Sequence, residues 1–182
     1  MSAKSRDYSA LAITLHWSAA LLIAGDFAFG LYFVDLPLSP QKLRFYSWHK
    51  WAGAIVLPVA AMLLLWRAMH RPSPLPAAMP HWEKQLSKFT HALLYLLLFL
   101  SPVSGWLYSS AAGFQTVLFG VWPIPDLVGR DRELAEALKA LHRWINYALA
   151  ATVVVHVLAA LKHHFIDRDD LLARMLPFLH KT

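Results

Sequence analysis

The 182-residue chain contains no cysteine. That absence excludes disulfides, thiolate-held metal sites and the C-x-x-C-H attachment of a covalent c-type haem. Charge is scarce as well: 15% of the residues are Asp, Glu, Lys or Arg, against about 25% in ordinary soluble domains. There is no H-E-x-x-H, and the long apolar stretches hold one carboxylate, Asp26. A zinc or di-iron centre, which needs carboxylates or a third ligand close by, therefore lacks its donors.

What the chain does have is apolar length. Of its residues 58% are hydrophobic, and most lie in four runs, roughly Ala10–Val34, Tyr46–Met69, Phe89–Ser110 and Leu141–Leu161. Each is near the ~20 residues that carry a helix across a hydrocarbon core. Four core helices of a soluble protein would need polar faces, which these runs lack. The expectation is an all-α membrane protein, a four-transmembrane-helix bundle forming a single domain over residues 1–182. Lys4 and Arg6 before an apolar run resemble a secretory signal, but the run continues through "FAFGLYF" and reads as a retained first span.

The formal charge of +6 is better explained by topology than by nucleic acid, which is not expected as a partner. Four spans put both termini on one side. Lys4, Arg6, Arg67, Arg71, Lys84, Lys88, Lys162, Arg168, Arg174 and Lys181 flank the spans on that side, ten in all. Lys42, Arg44, Lys50, Arg130, Arg132, Lys139 and Arg143 make seven on the other. The positive-inside rule then predicts cytoplasmic termini.

The first connection, "DLPLSPQKLRF", is short. The second holds four prolines and excludes regular helix until about Trp82. The third is the longest; Phe114, Phe119 and Trp122 suit a membrane interface, and "DRELAEALKALH" extends the fourth span beyond the membrane. The tail "IDRDDLLARMLPFLHKT" reads as a short amphipathic C-terminal helix on the membrane surface. No internal repeat or low-complexity tract is present.

Ten histidines sort by depth. His70, His81, His163, His164 and His180 fall in connections or at helix ends and read as interfacial side chains. His16, His49, His91, His142 and His156 fall within or just inside the spans, where an ionisable residue points to function. Antiparallel threading brings His16 level with His156 on the terminal side, and His49 level with His142 on the other. Fourteen residues separate His142 from His156, just under four helical turns, so both rings share a face about 21 Å apart. Each layer thus offers two imidazoles from different helices, the donor set for two axial bonds to one haem iron, and bundle cores are where such sites are built. Interhelical hydrogen bonding is the alternative use of membrane histidines.

A haem lies flat against its ligand helix, so small residues are expected one turn on. Ala19 and Ala20 follow His16, Ala52 and Gly53 follow His49, and Ala159 and Ala160 follow His156. His142 departs, with Ile145 and Asn146. His91 also departs, with Leu94 and Tyr95; it finds no partner at its depth in this threading and stays outside the ligand set. Asp26 reads as a hydrogen-bond partner for another helix, with a proton carrier as the alternative. Lys50 and Arg143 follow the two outer histidines, and both pairing with haem propionates and snorkelling to the interface fit them.

"YSALAITLHW", "WHKWAG", "HALLYLLLFLSPVSGW" and "LHRWINYALAATVVVHVLAALKHHFIDRDDLLARMLP" resemble the bacterial cytochrome b561 family. The similarity runs in order from Tyr8 to Pro177 and weakens over Gly113–Ala140. The resemblance implies a four-helix inner-membrane protein with two non-covalent b haems, held by His16, His49, His142 and His156. It also implies, in the stand-alone branch of the family, electron transfer from superoxide on the outer side to ubiquinone. The other branch, cytochrome b subunits of membrane hydrogenases and formate dehydrogenases, implies instead an electron-carrying anchor for a soluble dehydrogenase. A haem-free transporter is a third class, distinguished by the lack of a Soret band.

Overall fold

A computed structural model describes residues 8–70 and 73–179; Lys4, Arg6, Arg71, His180 and Lys181, counted above, lie outside them. Four long helices make the molecule: α1 Ala10–Val34, α2 Pro40–Met69, α3 His81–Ala111 and α4 Arg132–Lys162. All four are long and apolar enough to cross a membrane. Their outward faces carry large apolar side chains, Leu21 at 70% exposure and Leu158 at 59%, as lipid-facing surfaces do.

The first span has the predicted bounds, and the other three are longer than their hydropathic cores. The reason is local. Ser39 caps α2, its hydroxyl accepting from Lys42 N at 3.2 Å, and Pro40 takes the first helical position, where a missing N–H costs nothing. Asp131 caps α4 in the same way through Leu134 N at 3.0 Å. Polar turns thus precede each apolar run, and hydropathy alone does not see them. α3 starts at His81, immediately after the proline-rich connection ends.

The helices pack α1 on α2, α2 on α3 and, most extensively, α3 on α4. Val56, Ala60 and Leu98 form a small core between α2 and α3, joined by Leu22 and Ile23 of α1. Gly53 lies here too, where an added Cβ would sit 3.9 Å from Pro102; its smallness serves helix packing as well as the histidine one turn before it. Close backbone approach does not extend from α4 to α1 and α2. Imidazole rings meet across that wider seam.

The third connection forms a two-residue-stranded hairpin, β1 Val117–Leu118 against β2 Trp122–Pro123. Phe119 and Gly120 turn it, with φ of 52° and 73°. It is tied to the bundle by Trp51 Nε1 donating to Val117 O at 2.7 Å and Trp106 Nε1 donating to Pro125 O at 3.0 Å. The tail is more compact than a continuous amphipathic α-helix: a π-helical turn at His163–Asp167, a turn over residues 171–175 and a single 3-10 turn at Pro177–Leu179. Two bonds hold it down. Trp17 Nε1 donates to Met175 O at 2.9 Å, and the buried Arg174 donates to Pro74 O at 2.9 Å.

Candidate functional site

The rings of His16 and His156 stand 6.2 Å apart, centre to centre, and those of His49 and His142 6.1 Å apart. Two imidazoles bound on opposite sides of one metal ion, with metal–nitrogen bonds of about 2.0–2.1 Å, have ring centres ~6.3 Å apart. Both pairs come from helices that face across the wide seam, α1 with α4 and α2 with α4. The four residues singled out in the sequence are thus brought together two by two.

The pair on the side away from the termini, the outer pair of the expected topology, is held by its surroundings. His49 Nδ1 donates to Asp26 Oδ1 at 2.8 Å, and the Asp26 side chain is only 13% exposed. That gives the lone carboxylate of α1 its partner. His142 Nδ1 donates to the Ser101 carbonyl at 3.1 Å, with Ser104 Oγ at 3.0 Å. Asn146 reaches both nitrogens of the His142 ring at 3.3 Å and receives the Ser101 hydroxyl at 2.8 Å. Asn146 therefore explains why His142 lacks the small neighbour expected there. In each outer ring Nδ1–H is committed to the protein; this leaves His49 Nε2 free for a metal, while His142 Nε2 has the Asn146 amide at 3.3 Å, which a metal would displace.

Glycines make room for these rings. A Cβ added at Gly105 of α3 would lie 3.0 Å from His142 Cε1, and one at Gly30 of α1 would lie 3.6 Å from His49 Cε1. Sequence reasoning sought the small residues on the ligand's own helix and missed these two, which sit on neighbouring helices. The residues present fit a bis-histidine group on two observations: the ring separations and the glycine-lined outer rings.

The inner pair differs. Among the described residues no hydrogen bond joins the His16 or His156 ring to a protein partner. His91 corrects the threading: its ring packs edge-on against His156 at 5.2 Å. α3 begins at His81, where the proline-rich connection was expected to end, and its His91 faces His156 of α4, a partner the threading did not give it. His91 Nδ1 donates to Ser87 O at 2.7 Å.

Of the other residues weighed, Lys50 is spent on structure. Its ammonium donates to Ser109 Oγ, Phe114 O and Gln115 O at 3.2, 3.1 and 3.4 Å, anchoring the third connection. Arg143 is exposed. His163 is an ion-pair hub: Nδ1 meets Asp167 and Asp169 at 2.8 and 2.9 Å. Lys162 bridges Glu83 and Asp167 at 2.7 Å each, supplying the counter-charge within that acidic group. His70 stacks on Trp66 at 3.7 Å.

Residues 7–178 match the family of prokaryotic cytochrome b561. The chain belongs to that family. It is 34% identical to cytochrome b561 homolog 2 of Escherichia coli K12, over 93% of this chain and 90% of the relative. It is 27% identical to a Yersinia pestis protein named probable superoxide oxidase CybB, over 94% and 97%, and 27% identical to E. coli cytochrome b561 homolog 1, over 93% and 97%. This prokaryotic cytochrome b561 is therefore a multi-pass membrane protein of electron transfer, and its family implies b-type haem.

Proposed function

We propose that this cytochrome b561 carries two b haems in the bacterial inner membrane, with both termini cytoplasmic, and passes electrons from superoxide at its outer face to ubiquinone. The observation that carries this reading is the pair of histidine layers at different depths in one bundle. His49 and His142 would hold the outer haem iron, His16 and His156 the inner. When bound, each haem would supply a one-electron iron couple, and ligation by two histidines would disfavour oxygen binding at the metal.

The protein's own groups set the conditions for that exchange. Asp26 and the Ser101 carbonyl fix the tautomers of the outer imidazoles. Seven basic residues, among them exposed Arg44, Arg130, Arg132 and Arg143, against five acidic ones, Asp35, Asp126, Asp131, Glu133 and Glu136, leave the outer rim a small positive surplus that draws an anion weakly toward it. The lipid-facing apolar surface keeps water from the histidine layers. Overall, two superoxide anions, one ubiquinone and two protons give two dioxygen molecules and one ubiquinol. The name of the Yersinia pestis relative supports the choice of donor.

The second reading is an electron-carrying anchor subunit for a soluble dehydrogenase or hydrogenase. The hairpin favours it: Phe114, Val121 and Trp122 are 64%, 67% and 65% exposed on the outer side, an apolar tip that would suit a docked protein as well as a lipid interface. Stopped-flow mixing separates the two. Haem reduction by superoxide, followed by ubiquinol formation with the purified protein alone, is the expected result. No reduction by superoxide, with ready reduction by a soluble dehydrogenase, overturns it in favour of the anchor.

A further inference from the structure

We infer that the groove between α2 and α3 on the terminal side of the bundle binds the ring of a quinone, an inference that rests on the ubiquinone reading above. The groove encloses about 270 Å³ between Arg67 and Ala68 of α2 and Lys88, His91, Ala92 and Tyr95 of α3. Small-ligand pockets begin at ~300 Å³, so this volume suits one substituted ring whose isoprenoid tail stays in lipid. Ala68 and Ala92 are exposed on the bundle surface, and their small side chains leave the groove open sideways toward the bilayer. A lipophilic ligand enters without crossing water.

The chemistry of the floor fits both redox forms of such a ring. Arg67 lies in the last turn of α2, at the membrane end of the groove, where its long stem lets the charged head reach the interface. Among the described residues no carboxylate pairs with Arg67; its guanidinium lies 5.9 Å from the centre of the Tyr95 ring. Arg67 hydrogen-bonds the Tyr95 hydroxyl, and its remaining N–H groups and the Tyr95 O–H are donors for a quinone carbonyl. His91 gives its Nδ1–H to Ser87 O, so Nε2 is the ring nitrogen left to meet a quinone oxygen. Position completes the case. The His91 ring lies between the groove and the inner layer, edge-on to His156 at 5.2 Å, and His156 stands 6.2 Å from His16. One imidazole separates the bound ring from the inner ligand pair. The groove on the opposite leaflet, beside Asp26 and Trp48, is larger at about 370 Å³, but its polar groups are one carboxylate already bonded to His49 and one indole N–H, with no arginine, tyrosine or free imidazole nitrogen.

The test is photolabelling of the haem-loaded protein in nanodiscs with a short-tailed azido-ubiquinone, mapped by mass spectrometry. The expected result is labelling on α2 around Arg67–Ala68 and on α3 within Lys88–Tyr95, suppressed by excess unlabelled ubiquinone. Arg67→Gln, Tyr95→Phe and the steric block Ala92→Phe should each raise the concentration needed for half-labelling about tenfold, with the haem spectrum unchanged. Labelling beside Asp26 and Trp48 overturns the site but leaves the ubiquinone reading standing. So does labelling of the α2–α3 groove that anionic phospholipid displaces and ubiquinone does not. Loss of the inner haem in Arg67→Gln and Ala92→Phe alike overturns it too, by making the groove part of the haem pocket. No labelling anywhere, together with no haem reduction by a ubiquinol analogue in the unaltered protein, removes the ubiquinone reading itself.

Discussion

The two histidine layers share their ring separation and differ in what stands behind the rings. Outside, His49 is backed by the Asp26 carboxylate and His142 by the Ser101 carbonyl, and a glycine from a neighbouring helix lies against each ring. On the terminal side the His16 and His156 rings lack such bonds among the described residues, and the neighbour is a third imidazole, His91. A carboxylate behind a ligand raises its basicity and favours the more positive, oxidised iron. The proposed outer centre is thereby built to be the weaker oxidant of the two, so an electron arriving outside runs downhill to the inner layer. The difference teaches that direction across a symmetric-looking bundle can be set by hydrogen bonds one shell behind the ligands.

The largest effect that tests this comparison is loss of a whole centre. His16→Ala and His156→Ala should remove the same spectral component, and His49→Ala and His142→Ala the other. If His16→Ala and His49→Ala abolish the same component, the layers are wrong. Next comes room for the outer rings. Gly105→Ala puts a methyl 3.0 Å from His142 Cε1 and should lower outer-haem occupancy, whereas Gly30→Ala, at 3.6 Å from His49, should be tolerated; equal behaviour of the two in a haem assay would contradict the cradle.

A smaller shift sharpens the asymmetry. Asp26→Asn keeps the shape and removes the charge, and a hydrogen bond to a charged group is worth about 1.5–3 kcal/mol. If roughly 1.4 kcal/mol of that preference for oxidised iron is lost, the outer midpoint potential should rise by ~60 mV for this one-electron couple, with the inner potential unmoved. A spectroelectrochemical titration reads both, and a shift confined to the inner component would reverse the account. Smallest is the rim. Arg143→Glu should slow haem reduction by superoxide several-fold at low salt and little at high salt, because attraction fades beyond a Debye length of ~10 Å at 0.1 M; no salt dependence at all would remove electrostatic steering.

The spans and the two histidine pairs were legible in the sequence because hydropathy fixes depth and antiparallel threading fixes which depths coincide. α1 emerged with its bounds intact, since Ser9 caps it directly before the apolar run. His91 was misjudged because it was weighed by the neighbours on its own helix, Leu94 and Tyr95, whereas the ring it meets belongs to α4. Gly30, Gly105, Ser101 and the bond from His49 to Asp26 join different helices, so no spacing along the chain announces them. Asn146 looked like an exception at His142 and is instead its hydrogen-bond partner. The tail's amphipathic pattern is real, yet the π-turn and the clamps at Trp17 and Arg174 fold it back before a regular helix can run.

The central claim is two bis-histidine haems in one chain, and a pyridine haemochrome assay on the purified protein, set against protein concentration, tests it most directly. The account predicts two b haems per chain, low-spin in both oxidation states and extractable by acidic acetone. One haem per chain, or none, would contradict it.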